Sequence, residues 1–185
     1  MSAVPTWMIE GLTAEDYAAM PEEVCRTIEV VDGMVTVSPA PSRWHQDIAF
    51  NLAAALKSTC GPEQRVSIDI DLRLADVPLL NRRPDVVVYR AGVPNDQVLR
   101  PQDVILVVEI TSPGSVTQVT IDKPGEYAAA GVRHYWRVAP EEATVYTYAL
   151  NPRGDAYQLT GEHKGRLTVD QPVRLDVELA GLLRR

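Results

Sequence analysis

The chain has 185 residues, enough for one domain that buries roughly two thirds of its unfolded surface without crosslinks. Its 25 acidic residues outnumber 18 basic ones, a net charge of −7, which argues against broad adhesion to a phosphate backbone but not against chemistry at a few local contacts. Cys25 and Cys60 form no metal-binding pattern, and no apolar run approaches the roughly 18 residues of a membrane helix, so a cytoplasmic protein with reduced thiols and no membrane partner is expected.

The N-terminus lacks the basic start and apolar core of a secretion signal. Thr13, with Asp16 three positions on, predicts a capped short helix that Pro21 ends. In CRTIEVVDGMVTVSP two β-rich arms flank Asp32-Gly33, the dipeptide of a tight primed turn. Pairing Val31 with Met34 sets Glu29 opposite Thr36. Ile28, Val30, Val35 and Val37 then share one face, and Glu29 lies on the other.

A helix is predicted from Ser42, its cap, to Gly61, its terminator, with Ile48, Ala49, Leu52, Ala55 and Leu56 as the apolar stripe. His45 lies one turn before that stripe, directed at the body of the protein. QRVSIDIDLRL alternates as one half-buried strand, with Asp69 and Asp71 on its polar side. RPDVVVYR and DVILVVEI read as central strands buried on both faces. After Ser112-Pro113-Gly114 comes a helical stretch ended by Gly131, then the strand VRHYWRV. ATVYTYAL, AYQLTG and RLTV supply shorter strands, and VRLDVELAGLL is open between strand and helix. No repeat or charge block divides residues 1–185, which read as a single α/β domain with a mixed sheet.

Two carboxylates stand out. An antiparallel pairing of the two aliphatic strands, centred on Asn95 to Val98, sets Asp85 beside Glu109 with about 5 Å between β-carbons. Neighbouring acids in a partly buried setting repel, and a divalent cation would neutralise both. With the Ile110 carbonyl they form an oxygen-only ligand set, suited to Mg2+ or Mn2+ rather than zinc. The competing reading is that Asp85 merely starts a strand and Glu109 ends one.

Lys123 is the third candidate, able to return over the strand ends and steady negative charge on phosphate, with Tyr127 one turn later on the same face. Pro124 argues for a helix restart near Asp122, with Lys123 at a bend. His45 reads either as a buried helix-start histidine bonded to the sheet or as a catalytic or phosphate-contacting residue. Glu29 reads as an exposed strand glutamate or a third carboxylate for the cation. Trp44, Trp136, Tyr135, Tyr146 and Tyr148 read as core or interface aromatics. Walker, dinucleotide, GxSxG and HExxH motifs are absent.

The stretches EVVDGMVTVSPAPSRWH, RRPDVVVYR, ILVVEITSPGS and KPGEYAAAGVRHYWRV, in this order and spacing, resemble the Uma family of bacterial restriction-endonuclease-like proteins in the PD-(D/E)xK nuclease superfamily. The resemblance covers about residues 12 to 178. It implies a restriction endonuclease-like fold, with a mixed central sheet flanked by helices and an N-terminal hairpin. It also implies a metal-dependent endonuclease acting on DNA, with Asp85, Glu109 and Lys123 as the core and Glu29 and His45 as companions. Where the wider superfamily keeps a lysine two residues after the glutamate, this chain has Thr111. Where the family often has an acid one turn before the displaced lysine, it has Val119. The alternative is a catalytically weak or inactive nuclease-fold protein serving as an interaction or dimer module. A homodimer is expected for cutting two strands.

Overall fold

The computed structural model of the chain describes residues 11–37, 40–112 and 118–184. Two helical turns come first, α1 (Ala14–Ala18) and α2 (Glu22–Cys25). Thr13 caps α1 reciprocally: its hydroxyl accepts the Asp16 N–H, and Asp16 accepts the Thr13 N–H, both at 3.1 Å. Pro21 does more than end a helix. It opens α2, which the sequence reading had not separated from the hairpin, because a fixed φ of −58° suits a helix entry.

The hairpin pairs β1 (Ile28–Val31) with β2 (Met34–Val37) in the predicted register, Glu29 opposite Thr36 and Val31 opposite Met34. Asp32 and Gly33 have φ of 51° and 76°, the backbone a primed turn requires. Any Cβ on Gly33 would also lie 3.3 Å from the Cα of Gly11. The expected apolar face is only half realised: Ile28 and Val30 are buried with Leu12, Tyr17 and Leu79, whereas Val37 is 70% exposed. Glu29, on the opposite face, is buried too, so β1 is covered on both sides.

QRVSIDIDLRL is not one strand. It splits into β3 (Gln64–Ile68) and β4 (Leu72–Asp76), which belong to different sheets. Asp69, in the left-handed region at φ 51°, turns the chain between them. Arg83 holds the corner, its Nε 3.1 Å from Asp69 Oδ1 and its Nη1 2.6 Å from Asp71 Oδ1. Uninterrupted alternation cannot reveal such a corner, because the side-chain pattern resumes in phase beyond it.

β4 pairs with β5 (Leu79–Arg82), a short strand the sequence reading left unassigned, in a four-stranded sheet of order β2-β1-β5-β4. The larger sheet has the order β10-β9-β8-β7-β6-β3, with β6 (Val86–Arg90), β7 (Val104–Ile110), β8 (His134–Ala139), β9 (Thr144–Leu150) and β10 (Tyr157–Lys164). Among the described strands of this sheet only β7 and β8 run parallel, joined by a crossover that includes a π-helical turn (Gln118–Asp122) and α4 (Lys123–Ala129). The Pro113-Gly114 turn and the start of the expected helix lie outside the described residues.

Both faces of β6 and β7 are buried, as their aliphatic runs predicted. Val86, Val88, Leu106 and Val108 pack under the long helix α3 (Arg43–Thr59), against Ile48, Leu52 and Leu56. Val87, Val104 and Val107 face the other way, onto Tyr127 of α4 and Tyr135. The undecided C-terminal segment is both things in turn: β12 (Leu175–Glu178), paired with β11 (Arg166–Val169), runs directly into a helical turn, α5 (Leu179–Leu182). Leu175, Leu179 and Leu182 close the α3 side of the core.

Candidate metal centre

The register of β6 and β7 sets Val86 opposite Val108 and Val87 opposite Val107, so Asp85 comes beside Glu109 as the sequence predicted. Asp85, one residue before β6, accepts the Ile110 N–H on Oδ2 at 2.6 Å. His45 Nε2 lies 3.3 Å from that same oxygen. Ser42 brings it there by capping α3, its hydroxyl accepting the His45 N–H at 3.2 Å. Burial opposes charge on the imidazole, but the Asp85 hydrogen bond and charge and the Ile110 carbonyl prevail, raising the His45 pKa above its ordinary value.

Glu109 is 1% exposed. Lys123 Nζ reaches both its oxygens, at 3.0 and 3.1 Å, and the Tyr127 hydroxyl donates to Oε1 at 2.7 Å. Lys123 is the first residue of α4, and Pro124 occupies the second position, where a missing N–H costs nothing. Asp122 precedes the helix, as expected, but with helical backbone and no side-chain cap, because the π-helical turn leads straight into α4. Lys123 therefore stands at the head of a helix rather than at a bend.

The same ammonium lies 3.0 Å from Glu29 Oε1. Glu29 is thus drawn in as a partner of Lys123, not left in solvent. Its Oε2 accepts from Arg82 Nη1 at 2.9 Å, and its Oε1 from the Arg83 N–H at 3.0 Å. Arg82 in turn grips Glu126 with Nε and Nη2, both at 2.6 Å. A continuous chain of opposite charges, Glu126, Arg82, Glu29, Lys123 and Glu109, links β5, β1, α4 and β7.

Sequence reasoning missed Arg82 and Glu126, and it noticed Tyr127 only as a neighbour of Lys123. One signal was available: several acids converging on one strand end require cations, and Arg82 lies three residues before Asp85. Burial raises the Glu109 pKa to about 7; Lys123 and Tyr127 work against the rise, and the Asp85 and Glu29 charges add to it. Burial also opposes charge on Lys123, yet Glu109, Glu29 and Asp85 hold its pKa above the ordinary value. For Glu29, burial is outweighed by the Lys123 and Arg82 charges, and its pKa falls.

Other singled-out residues lie elsewhere or behave differently. Asp69 and Asp71 are the clamp of Arg83, and Asp71 also accepts from the Tyr17 hydroxyl at 2.9 Å. Val119, in place of an acid, is buried, and its carbonyl accepts from Tyr135 at 2.6 Å. The Thr111 hydroxyl is buried without a hydrogen-bond partner among the described residues. Tyr135 and Trp136 are core, Trp44 packs against the α3 side of it, and Arg137 stacks 4.1 Å over the Tyr146 ring.

Among the described residues, no three or more His, Cys, Asp or Glu side chains gather as a metal cage. The oxygen set of Asp85, Glu109 and the Ile110 carbonyl nevertheless suits a hard divalent cation in kind. Charge suits it too. Glu29, Asp85, Glu109 and Glu126 outnumber the cations Arg82 and Lys123, and a divalent ion would relieve the carboxylate repulsion from Asp85 and Glu29 that adds to the rise of the Glu109 pKa. Asp85 Oδ1 lies outside both contacts made by Oδ2.

No helix among the described residues is long and apolar enough to cross a membrane. No curated protein matches the chain. Among solved structures, it is similar to a protein from Anabaena variabilis described as a "putative nuclease belonging to DUF820", with 18% identity and a TM-score of 0.69, over 93% of this chain and 97% of that one. That likeness concerns the fold, a mixed α/β nuclease fold. Residues 14–180 match the family model Uma2, whose description is "Putative restriction endonuclease". With most of its length matched in this way, the chain belongs to the Uma2 family.

Proposed function

We propose that this protein is a metal-dependent endonuclease that hydrolyses DNA phosphodiester bonds at the shared end of β6 and β7. The observation that carries the reading is the adjacency of Asp85 and Glu109 on neighbouring buried strands, with Lys123 fixed on Glu109. Asp85, Glu109 and the Ile110 carbonyl would hold Mg2+ or Mn2+. Such an ion, when bound, polarises a phosphoryl oxygen and lowers the pKa of a water.

The chain's own residues do the rest. Lys123 brings a positive charge to the scissile phosphate and offsets the negative charge that grows there. Glu29 and Tyr127 keep Lys123 and Glu109 in position. His45, with its raised pKa, steadies Asp85 and offers a proton donor at the mouth of the site. Cutting both strands calls for two such sites, which a homodimer supplies. The test is cleavage of supercoiled DNA with Mg2+ or Mn2+: activity in the parent and its loss in Asp85→Ala are expected, and metal-dependent cleavage untouched by that substitution refutes the assignment.

A second reading rests on one observation. Both Glu109 oxygens are already occupied by Lys123, and Tyr127 adds a third bond in a fully buried setting. Such self-satisfaction also suits an inactive nuclease fold acting as an interaction or dimer module. Calorimetry separates the two. Stoichiometric divalent-ion binding near or below millimolar supports the nuclease, and no binding supports the module.

A further inference from the structure

At the end of the large sheet away from Glu109, a groove of about 820 Å³ opens between the last residue of β6, the start of β7 and the start of β8. Arg90, Arg100, Arg133 and His134 line it, with Pro101 and Pro172, and no lining residue is acidic. In a chain of net charge −7, three arginines around one cavity form a local reversal of sign.

Arg90 and Arg133 are exposed and make no ion pair among the described residues. Arg100 is oriented from behind, its Nη1 held 2.9 Å from Asp76 Oδ2. Burial and the Arg133 charge keep the His134 pKa below its ordinary value, as a positive environment requires. The groove is distinct from the carboxylate end: Val104, in its lining, and Glu109 are five residues apart on β7, about 17 Å at roughly 3.3 Å per residue.

We propose that this groove is a binding site for a multiply charged phosphate anion, with Arg90 and Arg133 as the main donors and Arg100 fixed at the flank. Guanidinium forks match phosphate oxygens in pairs, and two unpaired forks on one cavity gain most from a ligand with two or more phosphate groups. The volume suits a nucleotide-sized compound or a short run of nucleic-acid backbone. The assignment does not depend on catalysis at Glu109.

Inorganic pyrophosphate is the probe, titrated into the full chain at low salt with chelator present. One-to-one binding is expected in the parent, with a shift of the His134 ring resonance, and a loss of at least about tenfold in affinity for Arg90→Ala/Arg133→Ala. No binding at millimolar pyrophosphate overturns the proposal, as does an unmoved His134 resonance at saturation or equal affinity in the double variant. The His134 readout in the parent decides the matter even where the double variant fails to fold. A short DNA duplex then identifies the source of the phosphates. If it displaces pyrophosphate and the double variant lowers its salt slope by about two, the groove takes nucleic-acid backbone; if pyrophosphate stays bound, it takes a free phosphate compound.

Discussion

Of the arginines that sit between two carboxylates, Arg82 and Arg166 have the most different surroundings. Arg82, on β5, bonds Glu29 and Glu126 at 3% side-chain exposure, whereas Arg166, on β11, bonds Asp176 and Glu178 at 51%. Around Arg166, water competes for every charge. Around Arg82 it cannot, so removing one partner strands the others in a poorly solvating interior. The first cluster is therefore part of the architecture of the candidate metal centre, and the second decorates a hairpin.

The sharpest way to break this contrast is Arg82→Met. It leaves Glu29 and Glu126 without their shared cation and is expected to cost about 3–5 kcal/mol in urea denaturation, the usual range for half of a buried pair. A cost near zero would mean that water reaches the cluster. Tyr127→Phe probes the other end of the same charge chain. Loss of a buried donor to the Glu109 carboxylate is expected to cost about 1.5–3 kcal/mol, read the same way.

A smaller effect appears with pH in metal-free protein. Glu109 has a folded pKa of about 7 against an ordinary 4.5, and His45 is raised above 6.5. Both bind protons more tightly when folded, so stability falls as pH rises, between 4.5 and about 7 for Glu109 and through its higher folded pKa for His45. Glu29, shifted the other way, loses its contribution only below that window, near and under 4.5. Thermal melts of parent and Glu109→Gln should differ in slope across this range, and parallel curves would contradict the raised pKa. Least of all is expected from Arg166→Ala: a melting temperature unchanged within error, at low or high salt. A clear drop there would show that exposure does not set the worth of these pairs.

The hairpin and the β6–β7 pair were legible because their signals are local. A turn dipeptide sets the register at Asp32-Gly33, and two aliphatic runs folded back on each other across residues 91–103 set it for Asp85 and Glu109. The break at Asp69 was not, since a left-handed residue inside an alternating run leaves the alternation intact. Nor was β5, whose polar Asn81 and Arg82 give no strand signal, Arg82 being buried by its pairs with Glu29 and Glu126. The anion groove escaped as well: Arg90, Arg100 and Arg133 form no run in sequence and meet only where three strand ends converge.

By itself, then, the amino-acid order determined the β1–β2 and β6–β7 pairings and their registers, and with the second the adjacency of Asp85 and Glu109, because turn geometry and the two-residue period carry a pairing from one position to the next. Only the tertiary structure decided how the charges are paired. Glu29 of β1, Arg82 of β5, and Lys123 and Glu126 of α4 meet through packing, and the worth of their pairs depends on how completely that packing removes the water between them.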